Sequence, residues 1–148
     1  MFVPSPMMMV CAGNICRSPF AEFYMRKVLE EKGIEGEVFS RGLLMMQGQK
    51  VPELGLKVGL EFGVDMRTHV SNTLLAPDID RAALVLVMEP EQRAHLMQKR
   101  PEHVGKVMML SQPCGGHAID DPMGRSEETF RRVYHDIATC VDKWTSRF

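Results

Sequence analysis

No apolar run of about 18 residues, the length that spans a bilayer, occurs anywhere in this 148-residue chain. The opening Met1 to Pro6 lacks a positive n-region, and the apolar run that follows is broken at Gly13 and Asn14, so neither a signal peptide nor a membrane insertion is expected. Excess charge of one sign is also missing. Eighteen Lys and Arg face 19 Asp and Glu for a net charge of -1, which leaves no global field to attract nucleic acid or an anionic membrane. Any anion recognition must be local. Cysteine is sparse: Cys11, Cys16, Cys114 and Cys140 form neither a dense disulfide framework nor paired C-x2-C zinc motifs, which suits a reducing, cytoplasmic setting. No metal or other cofactor is expected, and Cys114 and Cys140 receive no role. Repeats, low-complexity blocks and linkers are absent, so residues 1 to 148 read as one domain.

What the chain does have is apolar runs in alternation with helical periodicity. Residues 1 to 5 read as a loose end, and Pro6 to Val10 as a short strand. Ser18-Pro19 then offers an N-cap and a first-turn proline for a helix whose apolar positions are Ala21, Tyr24, Met25, Val28 and Leu29, stopped by Gly33. Glu37 to Ser40 is a second strand, and Val51 to Phe62 a helix with Leu54 and Val58 on one face. Ala82 to Met88 is uninterrupted apolar sequence, as in a parallel strand covered on both faces, and is expected at the centre of the sheet. Pro90 to Lys99 reads as helix and Val104 to Leu110 as strand. Residues 126 to 146 form the longest periodic segment, with Phe130, Val133, Tyr134, Ile137, Ala138, Val141 and Trp144 at helical spacing and Glu127 and Glu128 in its first turn. Thirteen methionines lie largely within apolar runs, where their soft side chains fill gaps. The pattern predicts an α/β fold: a three-layer sandwich with a four-stranded parallel sheet, helices on both faces, and ligand bound beyond the carboxyl ends of the strands.

The loop after the first strand holds the densest cluster of reactive residues. Cys11-Ala12-Gly13-Asn14-Ile15-Cys16-Arg17-Ser18 runs from a strand end to a helix N-terminus. Such a turn points successive N–H groups inward and adds the helix dipole, which makes a cradle for a dianionic phosphate. Arg17 supplies a bidentate fork that a lysine cannot reproduce. The same field favours the thiolate of Cys11, the form that attacks. The Ser18 hydroxyl has two readings, a hydrogen bond to the Cys11 sulfur or the helix N-cap. Taken singly, Cys11 also reads as a buried small hydrophobe and Arg17 as a solvated first-turn residue; the joint register favours the phosphate site.

The stretch from Val10 to Glu22 resembles the signature of the low-molecular-weight protein tyrosine phosphatases, and the likeness extends to Ser40, His69, Val87-Met88-Glu89 and Asp121-Pro122. The resemblance implies a phosphatase of phosphotyrosyl proteins with Cys11 as nucleophile, Arg17 as phosphate ligand and Asp121 as general acid. Expelling a phenolate of pKa about 10 requires such an acid. On the residues alone, Asp120-Asp121 before Pro122 is more often a turn, and Asp120 remains the rival for the role. The resemblance further implies that Asn14 braces the loop through Ser40 and His69, and that Cys16 pairs with Cys11 on oxidation.

The chain departs from that pattern where the family places aromatic residues around the substrate ring. Met123 and Gly124 follow the Asp-Pro, and Leu43 to Met46, with Met45 taken as the representative, form the opposite wall, so the slot is expected to be aliphatic. The run Asp121 to Phe130 looks most like bacterial members that dephosphorylate tyrosine kinases of exopolysaccharide export, which makes such a kinase the expected partner of a monomer or weak dimer. Three rivals stand beside this reading. A thioredoxin-coupled arsenate reductase needs two further cysteines that residues 80 to 100 lack. Protein-arginine phosphatases resemble this loop with threonine where Ile15 stands. A non-catalytic phosphate-binding module would have lost its chemistry, whereas Cys11, Arg17 and Asp121 are intact.

Overall fold

The computed structural model describes residues 3–148. Four strands, β1 (Met7–Cys11), β2 (Val38–Gly42), β3 (Leu84–Val87) and β4 (Val107–Met109), form a single sheet in the order β2-β1-β3-β4, with every pairing parallel. The expected α/β sandwich is the observed one, and the expected central strand, β3, lies between β1 and β4. Five helices connect and flank the strands: α1 (Arg17–Glu31), α2 (Glu53–Glu61), α3 (Ala76–Arg81), α4 (Pro90–Lys99) and α5 (Glu127–Thr145).

Alternation along the buried strands sorts side chains into two cores. Met7, Met9, Cys11, Leu84 and Leu86 face α1 and α5, together with Phe20, Met25, Phe130, Tyr134 and Trp144. Met8, Val10, Val85 and Val87 face the other way, onto Ile79 of α3 and Leu96 of α4. Every residue of β1 is buried, which explains why a run of methionines and valine can lie there without polar relief. Since successive strand side chains point to opposite faces, Cys11 falls on the α1 and α5 side of the sheet.

α5 carries its apolar stripe as the periodicity predicts, and its N-cap Ser126 accepts the Thr129 N–H at 3.2 Å. Three expectations are corrected, and one helix, α3, has no counterpart in the sequence reading. Ser18 does not cap α1; the cap position is Cys16, without a side-chain hydrogen bond, and Ser18 sits inside the first turn. The last strand covers only Val107–Met109, because Pro101 opens a 3-10 segment that runs to Lys106. Helix α3 carries only one buried residue, Ile79, over six positions, too few for a periodic signal. The expected loose end at residues 1 to 5 is tied at its inner part: Val3 packs on the core and Ser5 Oγ accepts the Glu37 N–H at 2.9 Å, while residues 1 and 2 lie outside the described residues.

Candidate active site

Beyond the carboxyl end of β1 the chain turns through residues 12 to 16 and enters α1. Asn14 adopts φ 58°, the left-handed conformation that asparagine tolerates better than most residues, and the loop brings two backbone amides onto the Cys11 sulfur. The N–H groups of Asn14 and Ser18 lie 3.3 and 3.4 Å from that sulfur, and the Ser18 hydroxyl lies 2.9 Å from it. All three residues are buried, so these contacts act in a medium of low dielectric.

The direction of the hydrogen bonds is fixed by donors that cannot reverse. The Asn72 backbone N–H donates to Asn14 Oδ1 at 2.9 Å, which turns the Asn14 amide nitrogen toward two hydroxyls. Asn14 Nδ2 then donates to Ser18 Oγ at 2.8 Å and to Ser40 Oγ at 2.9 Å. Ser40 in turn donates to the Glu22 carboxylate at 2.5 Å. His69 Nε2 contacts the Asn14 carbonyl oxygen at 2.8 Å. Ser40 and His69 are therefore both brought to Asn14, as the sequence resemblance implied, whereas Glu22 and Asn72 were not anticipated in this network.

Arg17 is 2% exposed and is held from behind. Its Nη1 donates to Glu89 Oε1 at 2.9 Å and to the Ile119 carbonyl at 2.7 Å, while Nη2 lies 3.8 Å from Asp121 Oδ2. The family likeness includes Glu89 but does not give its pairing with Arg17. Asp121 Oδ1 accepts the Met123 N–H at 3.0 Å, which orients the carboxyl across the loop. Asp120 points elsewhere and pairs with Arg132 at 3.1 Å on the surface.

These groups line a cavity of about 140 Å³. Its floor is Cys11 to Gly13 and Ile15 to Arg17, and its rim is Leu44, Met46, Met123 and Asp121. The aliphatic character expected of the slot is present, but Met45 is not part of it. That side chain is 94% exposed, because residues 43 and 44 extend the β2 ladder by hydrogen bonds to the Cys11 and Ala12 carbonyls, and Met46 folds back over Gly13. Gly42 was also not anticipated. A Cβ there would lie 2.8 Å from the Gly13 carbonyl carbon and 2.9 Å from Asn14, so only glycine lets β2 pass this close to the loop.

Burial, with the neighbouring Cys11 and Asp121 adding to it, pushes the Cys16 thiol up from 9.0 to about 12, so Cys16 stays protonated at neutral pH. Tyr134, whose hydroxyl donates to the Cys16 carbonyl at 3.1 Å, is likewise held protonated by burial first and by the two cysteines second. All four cysteines are free thiols, and no helix among the described residues is long and apolar enough to cross a membrane.

Comparison with known proteins bears on the family and the fold. The chain is 32% identical over 139 residues to the probable low molecular weight protein-tyrosine-phosphatase AmsI of Erwinia amylovora, covering 94% of each. The crystal structure of the AmsI tyrosine phosphatase superposes with a TM-score of 0.91 over 99% of this chain and 94% of that one, at 31% identity. Vibrio vulnificus Wzb in complex with benzylphosphonate gives a TM-score of 0.89 at 31% identity, covering 96% of this chain and 97% of its own. The YwlE arginine phosphatase from Geobacillus stearothermophilus gives 0.85 at 30% identity, covering 95% and 90%. The family described as low molecular weight phosphotyrosine protein phosphatase matches residues 6–148, and the chain belongs to that family.

Proposed function

We propose that the protein hydrolyses phosphotyrosine in proteins through a cysteinyl-phosphate intermediate. The Cys11 thiolate attacks phosphorus as the bond to the tyrosine oxygen breaks, and Asp121 gives its proton to the departing phenolate. Water, deprotonated by Asp121, then attacks phosphorus; the P–S bond breaks, inorganic phosphate leaves and the Cys11 thiolate is restored. Arg17 and the loop amides hold the three non-bridging oxygens throughout. The Ser18 proton, already directed at the sulfur, stabilises the thiolate as it leaves. The observation that carries this reading is the convergence of the Cys11 sulfur, the buried Arg17 guanidinium and the Asp121 carboxyl on one cavity.

The walls favour tyrosine over arginine as the phosphorylated residue. Ile15, Leu44, Met46 and Met123 present apolar surface, and among the described residues Asp121 is the only carboxylate lining the cavity. A flat ring gains from that surface, whereas a guanidinium would lose hydration against it. The physiological substrate is proposed to be a bacterial tyrosine kinase controlling exopolysaccharide production, on the likeness of the Asp121 to Phe130 run, with the enzyme acting in the reducing cytoplasm.

The test is metal-free turnover of phosphotyrosyl and phosphoarginyl peptides by the wild type and by Cys11→Ser. Turnover of the first, abolished by the substitution, is expected. Faster turnover of phosphoarginine would reverse the assignment, and no turnover of either between about pH 5 and 7 would sink the enzyme reading. Asp121→Asn should slow aryl phosphates with poor leaving groups most; a larger effect of Asp120→Asn would move the acid.

A further inference from the structure

Away from the phosphate cavity, the chain brings together two cysteines that carry no role in the chemistry above. Among the described residues, His117, Asp136 and Cys140 place one donor atom each within 4.8 Å of one another. His117 Nε2 lies 2.8 Å from Asp136 Oδ2, and Cys140 Sγ lies 3.9 Å from Asp136 Oδ1. Asp136 and Cys140 are four apart on α5 and so share one helix face. Cys114, three residues before His117, is partly buried and packs against the core cluster that contains Cys140. None of the four lines the phosphate cavity.

We propose that Cys114, His117, Asp136 and Cys140 form a binding site for a thiophilic divalent cation, zinc by preference. The donor set is two sulfurs, one imidazole nitrogen and one carboxylate, the number and kind that tetrahedral zinc takes. With Zn–S near 2.3 Å and Zn–N or Zn–O near 2.0 to 2.2 Å, adjacent ligand atoms stand about 3.3 to 3.8 Å apart, so the His117, Asp136 and Cys140 donors close on a metal with movements of about 1 Å, and Cys114 joins them by a turn of its side chain. The two sulfurs discriminate against magnesium and calcium, which prefer oxygen.

The spacing matches as well. Cys114-x2-His117 is a short chelating turn, and Asp136-x3-Cys140 is a helical pair. The turn is pre-shaped: the Cys114 and Gly116 N–H groups donate to the Ser111 carbonyl at 2.7 and 3.0 Å, and the Ser111 hydroxyl donates to the His117 carbonyl. A bound cation would staple this turn to α5. Binding exchanges the two thiol protons for the metal and releases them to solvent.

Cobalt titration of the full chain carrying Cys11→Ser and Cys16→Ser, which removes the competing thiols, tests the proposal under reducing, metal-free conditions. One equivalent of cobalt should bind with a thiolate-to-metal charge-transfer band, release protons, and be displaced by one equivalent of zinc. His117→Ala in the same background should raise the dissociation constant about tenfold or more. Cys114→Ser should diminish the charge-transfer band and cancel the rise in unfolding temperature that zinc gives its parent. Both positions are less buried than Cys140, so a folding defect in Cys140→Ser does not decide the matter. A folded parent without the band, or a band and affinity unchanged by both substitutions, would leave only an ion pair and packed thiols and overturn the site.

Discussion

Gly42→Ala places one methyl group where the structure has no room, and its effect can be worked from the contacts. The added Cβ would meet the Gly13 carbonyl carbon at 2.8 Å and the Asn14 nitrogen and Cβ at 2.9 Å. None of these is the end of a flexible side chain. Ordinary carbon contacts begin near 3.5 Å, so β2 and the loop must separate by roughly 0.6 Å. The loop resists on all sides, through Leu43 and Leu44 N–H to the Cys11 and Ala12 carbonyls and through Asn14 to Ser40 and Asn72. Overpacking of this kind costs about 1 to 3 kcal/mol, and at about 2 to 4 °C per kcal/mol the unfolding temperature should fall by roughly 2 to 12 °C. The loop amides move with Asn14, and a displacement near 1 Å costs about a hundredfold in rate, so kcat on a phosphotyrosyl peptide should drop at least about tenfold. Gly105→Ala, with nothing within 4 Å of its Cβ, is the matched control and should be silent in both assays. A Gly42→Ala enzyme with kcat within about twofold of wild type and an unshifted melting curve would refute the claim that this glycine sets the loop geometry.

Further outcomes follow from single contacts. Glu89→Ala frees Arg17 Nη1 from its carboxylate partner, and kcat/KM should fall about ten- to a hundredfold while the inhibition constant for inorganic phosphate rises with it; unchanged phosphate binding would show that Glu89 does not position Arg17. Met123→Trp supplies an aromatic wall worth about 0.5 to 1.5 kcal/mol, so KM for phosphotyrosine should fall about two- to twelvefold while an alkyl phosphate is unaffected; equal changes for both substrates would argue against stacking. Because Cys16 is raised from 9.0 to about 12, its unfolded thiol ionises first, so the contribution is intact below pH 9 and is lost as pH rises toward 12, at up to about 1.4 kcal/mol per pH unit. Cys16→Ala should flatten the fall in urea midpoint between about pH 8.5 and 10.5, not remove it, since Tyr134 is shifted the same way; no flattening would contradict the assignment.

The parts of this molecule legible in the sequence are those whose signal is contiguous. The apolar runs of β1 and β3 read directly as buried parallel strands, and the stripe of α5 as a helix packed on one face. The phosphate loop was legible because its sulfur, guanidinium and backbone turn fall within eight consecutive residues. Illegible features are those that only the fold brings together. Gly42 and Asn72 come from separate segments with nothing in their local sequence to mark them, and the family likeness at Glu89 does not show that it pairs with Arg17. Ser18 shows a different failure. A serine before a proline is good cap chemistry, but the anion loop starts the helix at Arg17 and leaves the serine hydroxyl for the sulfur. Met45 was assigned to the slot from a stretch of four residues; which of them face inward depends on how far β2 continues past Gly42.

The polarity of the network behind Cys11 ties these pieces into one device. Glu22 is buried and pairs with Arg26, so its carboxylate offers only acceptors to the interior. Ser40 must then spend its proton on Glu22 and present a lone pair to Asn14. With Asn14 Oδ1 committed to the Asn72 N–H, both Asn14 amide protons are spent, one on Ser40 and one on Ser18. Ser18 is left with a free proton and one unengaged neighbour, the sulfur at 2.9 Å. A charge on the far side of α1's first turns thus dictates that the hydroxyl beside Cys11, which accepts from Asn14, donates to the sulfur. A hydroxyl free to rotate would stabilise thiol and thiolate alike; one held in this sense stabilises the thiolate selectively, which is the state that begins and ends the catalytic cycle.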